Sequence, residues 1–311
     1  MSILLIQGDA RKIPLADQSV HCCVTSPPYW GLRDYGVAGQ LGLEKTAEEY
    51  TRVMVDVFRE VKRVLRGDGT LWLNIGDSYA SAWPAPNTRR NIIDNPMSGG
   101  KRGPGRPERM GGDLKEKDLV GIPWMLAFAL RADGWYLRSD IIWSKPNPMP
   151  ESVTDRPTKA HEYIFLLSKS REYYYDAEAI KEESVSLDLR KPYAPGQIDA
   201  RGNGHDRGGG SIRKNAVPTG CLPVKRNKRT VWEVNPQPFP EAHFATFPEE
   251  LIKPCILAGC PLRGTVLDPF IGSGTTALVA RNLQCHAIGL EINPKYIDIA
   301  RGRLAQKVMS F

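Results

Sequence analysis

The chain has 311 residues, of which 41% are hydrophobic, and a formal net charge of +7. This length allows a large buried core and excludes a small domain held together by disulfides. No apolar run is long enough to span a membrane and the first residues lack a secretory signal pattern, so we expect a cytoplasmic protein without a membrane partner. The six cysteines form no C-x-x-C pair, so we expect reduced thiols and no metal site.

Apolar periodicity predicts alternating strands and helices along the chain. Strands are expected at 3–6, 20–24, 70–75, 135–143 and 161–168, and helices at 46–65, 119–132, 247–260 and 275–282. Two stretches, 84–118 and 184–230, have no such periodicity and are rich in Gly or Pro and in basic residues. Composition of this kind is typical of irregular insertions between regular elements.

The first candidate motif, Thr25-Ser26-Pro27-Pro28-Tyr29-Trp30, directly follows an apolar strand. Proline fixes φ and has no N–H, so the segment is stiff and offers carbonyl acceptors but few donors. Acceptors beside an exposed aromatic ring suit a planar base that carries an exocyclic NH₂ group. The tetrapeptide alone also fits a simple turn at the end of a strand.

The second motif, residues 264–277, contains a short apolar strand, a turn with Gly272 and Gly274, and the start of a helix. Glycines there allow the backbone to approach a nucleotide-like ligand closely. The next strand ends in Glu291, where an acidic residue of such a fold binds ribose hydroxyls. This fingerprint also fits NAD, whereas the lack of a following lysine excludes a phosphate-binding P-loop.

Too few residues follow Gly274 to complete a doubly wound sheet. The missing strands must come from the N-terminal part of the chain. The order of the two halves is therefore cyclically permuted, with the cofactor half last.

In this order the motifs resemble the β-type amino-methyltransferases of DNA, which methylate N4 of cytosine or N6 of adenine. The stretches that carry the resemblance are 25–30, 69–75, 142–150, 247–251 and 268–274 with Glu291. The resemblance implies an α/β fold, a doubly wound, mostly parallel sheet of the S-adenosylmethionine-dependent methyltransferase (Rossmann-like) type. It also implies strand order 3-2-1-4-5-7-6 with one antiparallel strand, and an inserted target-recognition region.

The resemblance implies S-adenosylmethionine as the cofactor, without a metal. Ser26, Pro27, Pro28 and Tyr29 would be catalytic, with Ser26 Oγ and the Pro27 carbonyl accepting the hydrogens of the amine and Tyr29 stacking on a flipped base. We expect Trp30, Trp143 and Lys145 to line the target-base pocket. The residues expected to bind the cofactor are Asp9, Phe247, Asp268, Phe270, Gly272, Ser273, Gly274, Glu291 and Asn293.

The expected organisation has five parts. These are a catalytic half at 1–83, a mobile insertion at 84–118 acting as a flap, the rest of the catalytic half at 119–169, the target-recognition insertion at 170–235 and the S-adenosylmethionine-binding half at 236–311.

The segment 184–230 contains ten Lys or Arg residues and three Asp, and therefore carries +7 by itself. A localised basic surface suits phosphates, because neutralising them releases condensed counterions. The DNA-binding candidates are Arg190, Lys191, Arg201, Arg207, Arg213, Lys214, Lys225, Arg226, Lys228 and Arg229. We expect double-stranded DNA as the partner, with a homodimer and a cognate restriction enzyme as further expectations. The alternative is a solvated loop without a partner.

Ser26 bears on the choice of base. Family members with Ser at this point tend to modify cytosine N4, and those with Asp tend to modify adenine N6. We expect a site-specific cytosine-N4 methyltransferase of a prokaryotic or phage-infected cell, with adenine N6 as the alternative. A NAD-dependent dehydrogenase would leave 26–30 without a role, and a non-catalytic DNA-binding regulator would not need the complete cofactor motif.

Overall fold

The computed structural model describes residues 1–80 except 33 and 35, and residues 114–183, 225–237 and 247–305. It divides into two compact units, residues 1–176 with 229–311, and residues 177–228. Most of the expected insertion at 84–118, and residues 184–224 of the basic segment, lie outside the described residues. Within the described ranges, no helix is long and apolar enough to cross a membrane.

Each strand and helix that the periodicity predicts is present, in some cases with its bounds shifted by a few residues. The strands are β1 (Ile3–Gln7), β2 (Val20–Thr25), β3 (Leu65–Ile75), β4 (Tyr136–Ser144), β5 (His161–Ser168), β6 (Glu182–Glu183), β7 (Lys225–Arg226), β8 (Val231–Glu233), β9 (Thr265–Asp268) and β10 (His286–Glu291). The helices are α1 (Ala47–Val64), α2 (Ile122–Ala132), α3 (Glu249–Gly259), α4 (Thr275–Asn282) and α5 (Pro294–Ala305).

The large unit is built on one eight-stranded sheet with the order β1-β10-β9-β2-β3-β5-β4-β8. Strand β5 is antiparallel to both of its neighbours, β3 and β4, and the other pairs are parallel. With β9 counted as the first strand, the first seven strands follow the expected order 3-2-1-4-5-7-6. The predicted fold class and its cyclic permutation are confirmed, and β8 is an additional edge strand that the sequence did not predict.

Capping interactions explain where α1 and α2 begin. The side chain of Thr46 accepts a hydrogen bond from the Glu49 backbone N–H at 3.1 Å and so caps α1. Helix α2 begins at Ile122 rather than at 119, because Gly121 has a φ of 84°. The Asp77 carboxylate accepts from the backbone N–H groups of Gly121 and Ile122 at 3.0–3.1 Å. A side chain distant in sequence therefore sets this boundary.

Helices cover both faces of the sheet. Successive strand residues point to opposite faces, and β3 shows the alternation. Leu71 and Leu73 belong to the core cluster that includes α1 residues such as Phe58. Trp72, between them, is 1% exposed and packs at α3, where a Cβ on Gly259 would lie 2.5 Å from its Nε1 atom.

In the small unit, the described residues form a 3₁₀ turn at Glu178–Ile180 and the antiparallel pair of β6 and β7. Glu182 and Arg226 lie opposite each other and form an ion pair, with Nε and Oε1 2.9 Å apart.

We predict that Gly259→Ala lowers the free energy of unfolding by about 1–3 kcal/mol, because the added methyl group would overlap Trp72 and Thr70, whose Oγ1 lies 2.6 Å from the Cβ position. Gly302→Ala is the control, since no atom lies within 4 Å of its Cβ position on the exposed side of α5. Removing a helical glycine there should stabilise by roughly 0.5–1 kcal/mol. Urea denaturation measures both, and equal effects of the two substitutions would contradict the packing at Gly259.

Candidate active site

A cavity of about 600 Å³ opens at the carboxyl ends of β1, β2, β9 and β10, which is where ligands bind in open α/β sheets. Both sequence motifs line it. The predicted site residues on its wall are Asp9, Ser26, Pro27, Pro28, Tyr29, Trp143, Lys145, Phe247, Asp268, Phe270, Gly272, Ser273, Glu291 and Asn293. The two ends of the chain thus contribute to one cavity of a size usual for cofactor sites.

Asp268 lies at the junction of the two halves. Strands β2 and β9 run side by side, and Thr25 Oγ1 donates to Asp268 Oδ1 at 2.6 Å. Thr276 Oγ1 donates to the other oxygen at 2.6 Å, and the Phe270 backbone N–H donates to Oδ1 at 3.0 Å. Burial raises the pKa of Asp268 to about 6. These three donors are neutral, so the carboxylate at the cavity wall suits a cationic group of a ligand.

The loop between β9 and α4, which contains Gly272 and Gly274 and is called the glycine loop below, is hydrogen-bonded to Glu291. Gly272 has a φ of 48°, a conformation that favours glycine, and its N–H donates to Glu291 Oε2 at 3.1 Å. The Asn293 N–H donates to Oε1 at 2.9 Å. Burial raises the pKa of Glu291 as well. Glu291 therefore connects the glycine loop to the start of α5 while its carboxylate faces the cavity.

Gly274 is not among the residues that line the cavity, and its contact with the cofactor stays a prediction. It has a φ of 87° and is the N-cap of α4, and a Cβ there would lie 3.2 Å from Ala300 Cβ. The turn and the close packing on α5 both favour glycine at this position.

Asp9 reaches the cavity as half of an ion pair. Arg11 binds its carboxylate through two nitrogens, with Nη2 2.6 Å from Oδ2 and Nε 3.0 Å from Oδ1. This hydrogen-bonded guanidinium holds the pKa of Asp9 below its usual value. Arg11 thereby fixes the carboxylate at the cavity wall in its ionised form.

Contacts with residues of three other segments of the chain hold the 25–30 loop in place. The Tyr50 hydroxyl donates to the Pro28 carbonyl at 2.8 Å. The Tyr29 ring lies against Gly76, where a Cβ would come within 2.7 Å of its Cε2 atom, and its hydroxyl donates to Glu162 Oε2 at 2.6 Å. Burial raises the pKa of Tyr29 well above its usual value, so the phenol stays protonated.

The expected target-base pocket is only partly as predicted. Trp143 and Lys145 line the cavity, with the Lys145 ammonium 4.2 Å from the Trp143 ring centroid. Trp30 does not line it, because its ring is 3% exposed in the hydrophobic core and its Nε1 donates to the Glu44 carbonyl at 2.9 Å. The side chain of Trp30 therefore points into the core, whereas that of its neighbour Tyr29 points toward the cavity.

Asn74 and Glu162 line the cavity, although the sequence did not single them out. Glu162 pairs with Lys145, and Asn74 Nδ2 lies 3.4 Å from Glu162 Oε2. The register of β4 and β5 sets Glu162 opposite Trp143. Glu162 could have been identified only from the residue-by-residue pairing of β4 with β5, which places it opposite Trp143.

Six of the DNA-binding candidates lie outside the described residues, namely Arg190, Lys191, Arg201, Arg207, Arg213 and Lys214. Of the other four, Lys225 and Arg229 are exposed, Lys228 is half-buried and Arg226 is paired with Glu182. Their contact with DNA stays a prediction.

A model of the DNA methylase family that modifies N6 or N4 positions matches residues 20–302 of the chain. The chain belongs to the N6/N4 DNA methylase family. This N6/N4 DNA methylase is 48% identical over 305 residues to the type II methyltransferase M.Cfr9I of Citrobacter freundii, covering 96% of this chain and 87% of that one. It is 46% identical over 308 residues to M.SmaI of Serratia marcescens, covering 98% and 92%.

Solved structures share the fold of this N6/N4 DNA methylase. The PvuII DNA methyltransferase (cytosine-N4-specific) aligns over 100% of this chain and 89% of its own, with a TM-score of 0.64 and 17% identity. A putative DNA modification methylase from Thermus thermophilus, complexed with S-adenosyl-L-methionine, aligns over 100% and 96%, with a TM-score of 0.58 and 25% identity.

The chain is therefore a type II DNA methyltransferase of a family that depends on S-adenosylmethionine. The dehydrogenase and the non-catalytic regulator considered from the sequence are wrong. Across the described ranges, no group of three or more His, Cys, Asp or Glu residues could hold a metal ion.

We predict that Asp268→Asn stabilises the ligand-free protein at pH 8 by about 2–3 kcal/mol. The folded-state pKa of about 6 lies above the usual 3.8, so the folded protein binds more protons between these values and loses stability as pH rises through them. The gain should shrink toward pH 4, where the carboxyl group is neutral. Denaturation at both pH values measures it.

The control is Asp298→Asn on the surface of α5, where the side chain is 75% exposed. It should change stability by less than about 0.5 kcal/mol at either pH. An Asp268→Asn variant that is less stable than the parent at pH 8 would contradict the account of the buried charge.

Proposed function

We propose that the chain transfers the methyl group of S-adenosylmethionine to N4 of a cytosine flipped out of duplex DNA. The observation that carries the proposal is the shared cavity, in which the 25–30 loop and the glycine loop meet at the hydrogen bond between Thr25 and Asp268. One wall offers acceptors and an aromatic ring, and the other offers carboxylates and a glycine turn.

The carboxylate wall fits S-adenosylmethionine. Asp268, buried among neutral donors, would bind the ammonium of the methionine part, because a cation there offsets the cost of its burial. Glu291 would accept from the ribose hydroxyls, and Asp9 from the adenine amino group. Phe247 and Phe270 supply apolar surface in the same cavity. When bound, S-adenosylmethionine supplies an electrophilic methyl group on its sulfonium.

The other wall fits an exocyclic amine. Its lone pair is delocalised into the ring, which makes the nitrogen a weak nucleophile. If Ser26 Oγ and the Pro27 carbonyl accept its two hydrogens, the nitrogen moves toward tetrahedral geometry and its lone pair faces the methyl group. Positioning of this kind can contribute several kcal/mol, on the order of 7–11 in the best cases. As the nitrogen–carbon bond forms, the bond from the methyl carbon to sulfur would break and S-adenosylhomocysteine would leave. No strong base is required, because the nitrogen becomes acidic only after it is methylated, and its extra proton would then pass to water.

The target base must leave the helix, because its amine is otherwise paired. Tyr29 offers the ring on which it stacks, and Ser26, by the resemblance to cytosine-N4 enzymes, supports cytosine over adenine. The basic segment would follow the DNA backbone. A homodimer and a partner restriction enzyme stay predictions from the sequence.

The test is to incubate the purified chain with S-adenosylmethionine and unmethylated genomic DNA of mixed sequence, digest the DNA to nucleosides and identify the products by mass spectrometry. We expect N4-methyldeoxycytidine, and none with the Ser26→Ala variant. N6-methyldeoxyadenosine would overturn the base assignment and leave the reaction class intact. If neither methylated nucleoside is formed from genomic DNA of mixed sequence, the proposed activity is overturned.

We predict that the affinity for S-adenosylmethionine falls about tenfold per pH unit below pH 6. Protonating Asp268, whose pKa is about 6, removes the charge that pairs with the ammonium, so affinity is full above this pH and is lost as pH falls. Calorimetric titration between pH 5 and pH 8 measures the slope. Asp268→Asn should bind weakly with a shallower dependence, and an unchanged parental affinity at pH 5 would remove Asp268 from this role.

A further inference from the structure

Arg303 on α5 contacts two residues of the cavity wall without lining the cavity itself. Its Nη1 donates to Thr275 Oγ1 at 2.8 Å and to Ser273 Oγ at 3.4 Å. Its Nη2 donates to Glu249 Oε1, at the start of α3, at 2.9 Å. The Arg303 side chain is only 13% exposed, so water competes little for these bonds.

The packing of α5 against the glycine loop explains this position of Arg303. A Cβ on Gly274 would lie 3.2 Å from Ala300 Cβ, so α5 comes close to the loop at Ala300. Ala300 and Arg303 are three residues apart and therefore lie on the same face of the helix. The guanidinium consequently reaches Thr275, which is the first residue of α4.

The hydrogen bonds of the two hydroxyl groups have a defined direction. A guanidinium only donates, so Thr275 Oγ1 and Ser273 Oγ accept from Arg303 and their own protons point elsewhere. Among the described residues, neither hydroxyl donates to a protein acceptor. Thr275 and Ser273 are 4% and 3% exposed, and both line the cavity. Two buried O–H donors are thus left for an acceptor in the cavity, and the bond from a cation polarises each of them.

The carboxylate of the methionine part is the group of the proposed cofactor that needs such donors. Asp268, Glu291 and Asp9 are proposed above to bind its ammonium, ribose and adenine, which leaves the carboxylate unassigned. A carboxylate only accepts, and its burial without donors is costly. It is attached to the same carbon as the ammonium, so its donors must lie near Asp268. Thr276, the residue after Thr275, donates to Asp268, which brings the start of α4 next to the ammonium site.

We propose that Arg303 is a positioning residue of the cofactor site: by donating to Thr275 and Ser273, it directs their hydroxyl protons toward the carboxylate of S-adenosylmethionine. The inference rests on the proposed function, because it needs the cofactor in this cavity. Glu249 balances the charge of Arg303, so the guanidinium acts through the direction of the hydroxyls and not as a net charge.

The experiment measures, by calorimetric titration at pH 8, the dissociation constants of two ligands. These are S-adenosylmethionine and its decarboxylated form, which keeps the ammonium and the sulfonium. Arg303→Met keeps the unbranched stem and removes the donors. We expect it to weaken binding of S-adenosylmethionine roughly five- to tenfold and to leave the decarboxylated form within about twofold of the parent. Arg301→Met, at an exposed position of α5, is the matched control and should change neither constant.

A double variant separates the direction of the hydroxyls from an effect of charge. Thr275→Val keeps the branched shape and removes the hydroxyl, so it should also weaken binding of S-adenosylmethionine selectively. Adding Arg303→Met to Thr275→Val should cost less than about twofold more, because both changes break the same interaction. Losses that multiply would overturn the positioning role and indicate a direct effect of the charge.

Equal losses for the two ligands in Arg303→Met would also overturn the inference, since they would indicate a role in helix packing alone. Parental affinity of Arg303→Met for S-adenosylmethionine would do the same. If Arg303→Met is unfolded at the titration temperature, Thr275→Val decides alone, because the inference requires its hydroxyl and unchanged affinity would contradict that. A parent that binds neither ligand would overturn the proposed function instead, so the two failures are distinct.

Discussion

The hydrogen bond from Thr25 to Asp268 joins residues 243 positions apart at the carboxyl ends of two neighbouring parallel strands. Everything proposed for the cavity depends on it. It holds the start of the 25–30 loop against the end of β9, so this loop and the loop with Gly272 and Gly274 share one cavity. It also keeps a carboxylate buried among neutral groups, which is unfavourable until a cation arrives. Ligand-free stability is thus lower than it would be with a neutral group at this position, and a bound cation would offset the difference.

The fold could be predicted because its signals are local. Gly272 and Gly274 mark the turn after β9, and apolar runs in the N-terminal part of the chain mark the strands that complete the sheet. The resemblance supplied the sheet order, which the structure reproduces. The helix α2 starts later than its apolar pattern suggests, because Asp77, distant in sequence, caps it. The short edge strand β8 has too few residues to show a period.

The candidate site was predictable to the extent that its residues sit in motifs. Ser26 and Tyr29 follow one strand directly and Asp268 ends another, so parallel pairing alone brings them together. Trp30 and Gly274 are motif residues that face the protein interior, and adjacency in sequence does not report direction. Glu162 belongs to no motif, and its place depends on the register of two antiparallel strands, which composition does not determine.

The cavity thus has two walls with different electrostatics. The wall formed by Asp9, Asp268 and Glu291 presents carboxylates that can bind a cationic group or accept from hydroxyl groups. The target wall presents the Ser26 hydroxyl and the Pro27 carbonyl, with Tyr29 packed against Gly76 and hydrogen-bonded to Glu162 through its hydroxyl. In the proposed reaction, the two walls would hold the methyl donor and the target amine next to each other in one cavity.

The most direct test of this account is a crystal structure of the chain with S-adenosylhomocysteine. The account predicts the ammonium within hydrogen-bonding distance of Asp268, the ribose at Glu291, and the sulfur open to the space in front of Ser26 and Tyr29. A ligand bound elsewhere, or a sulfur separated from the 25–30 loop by protein, would contradict it.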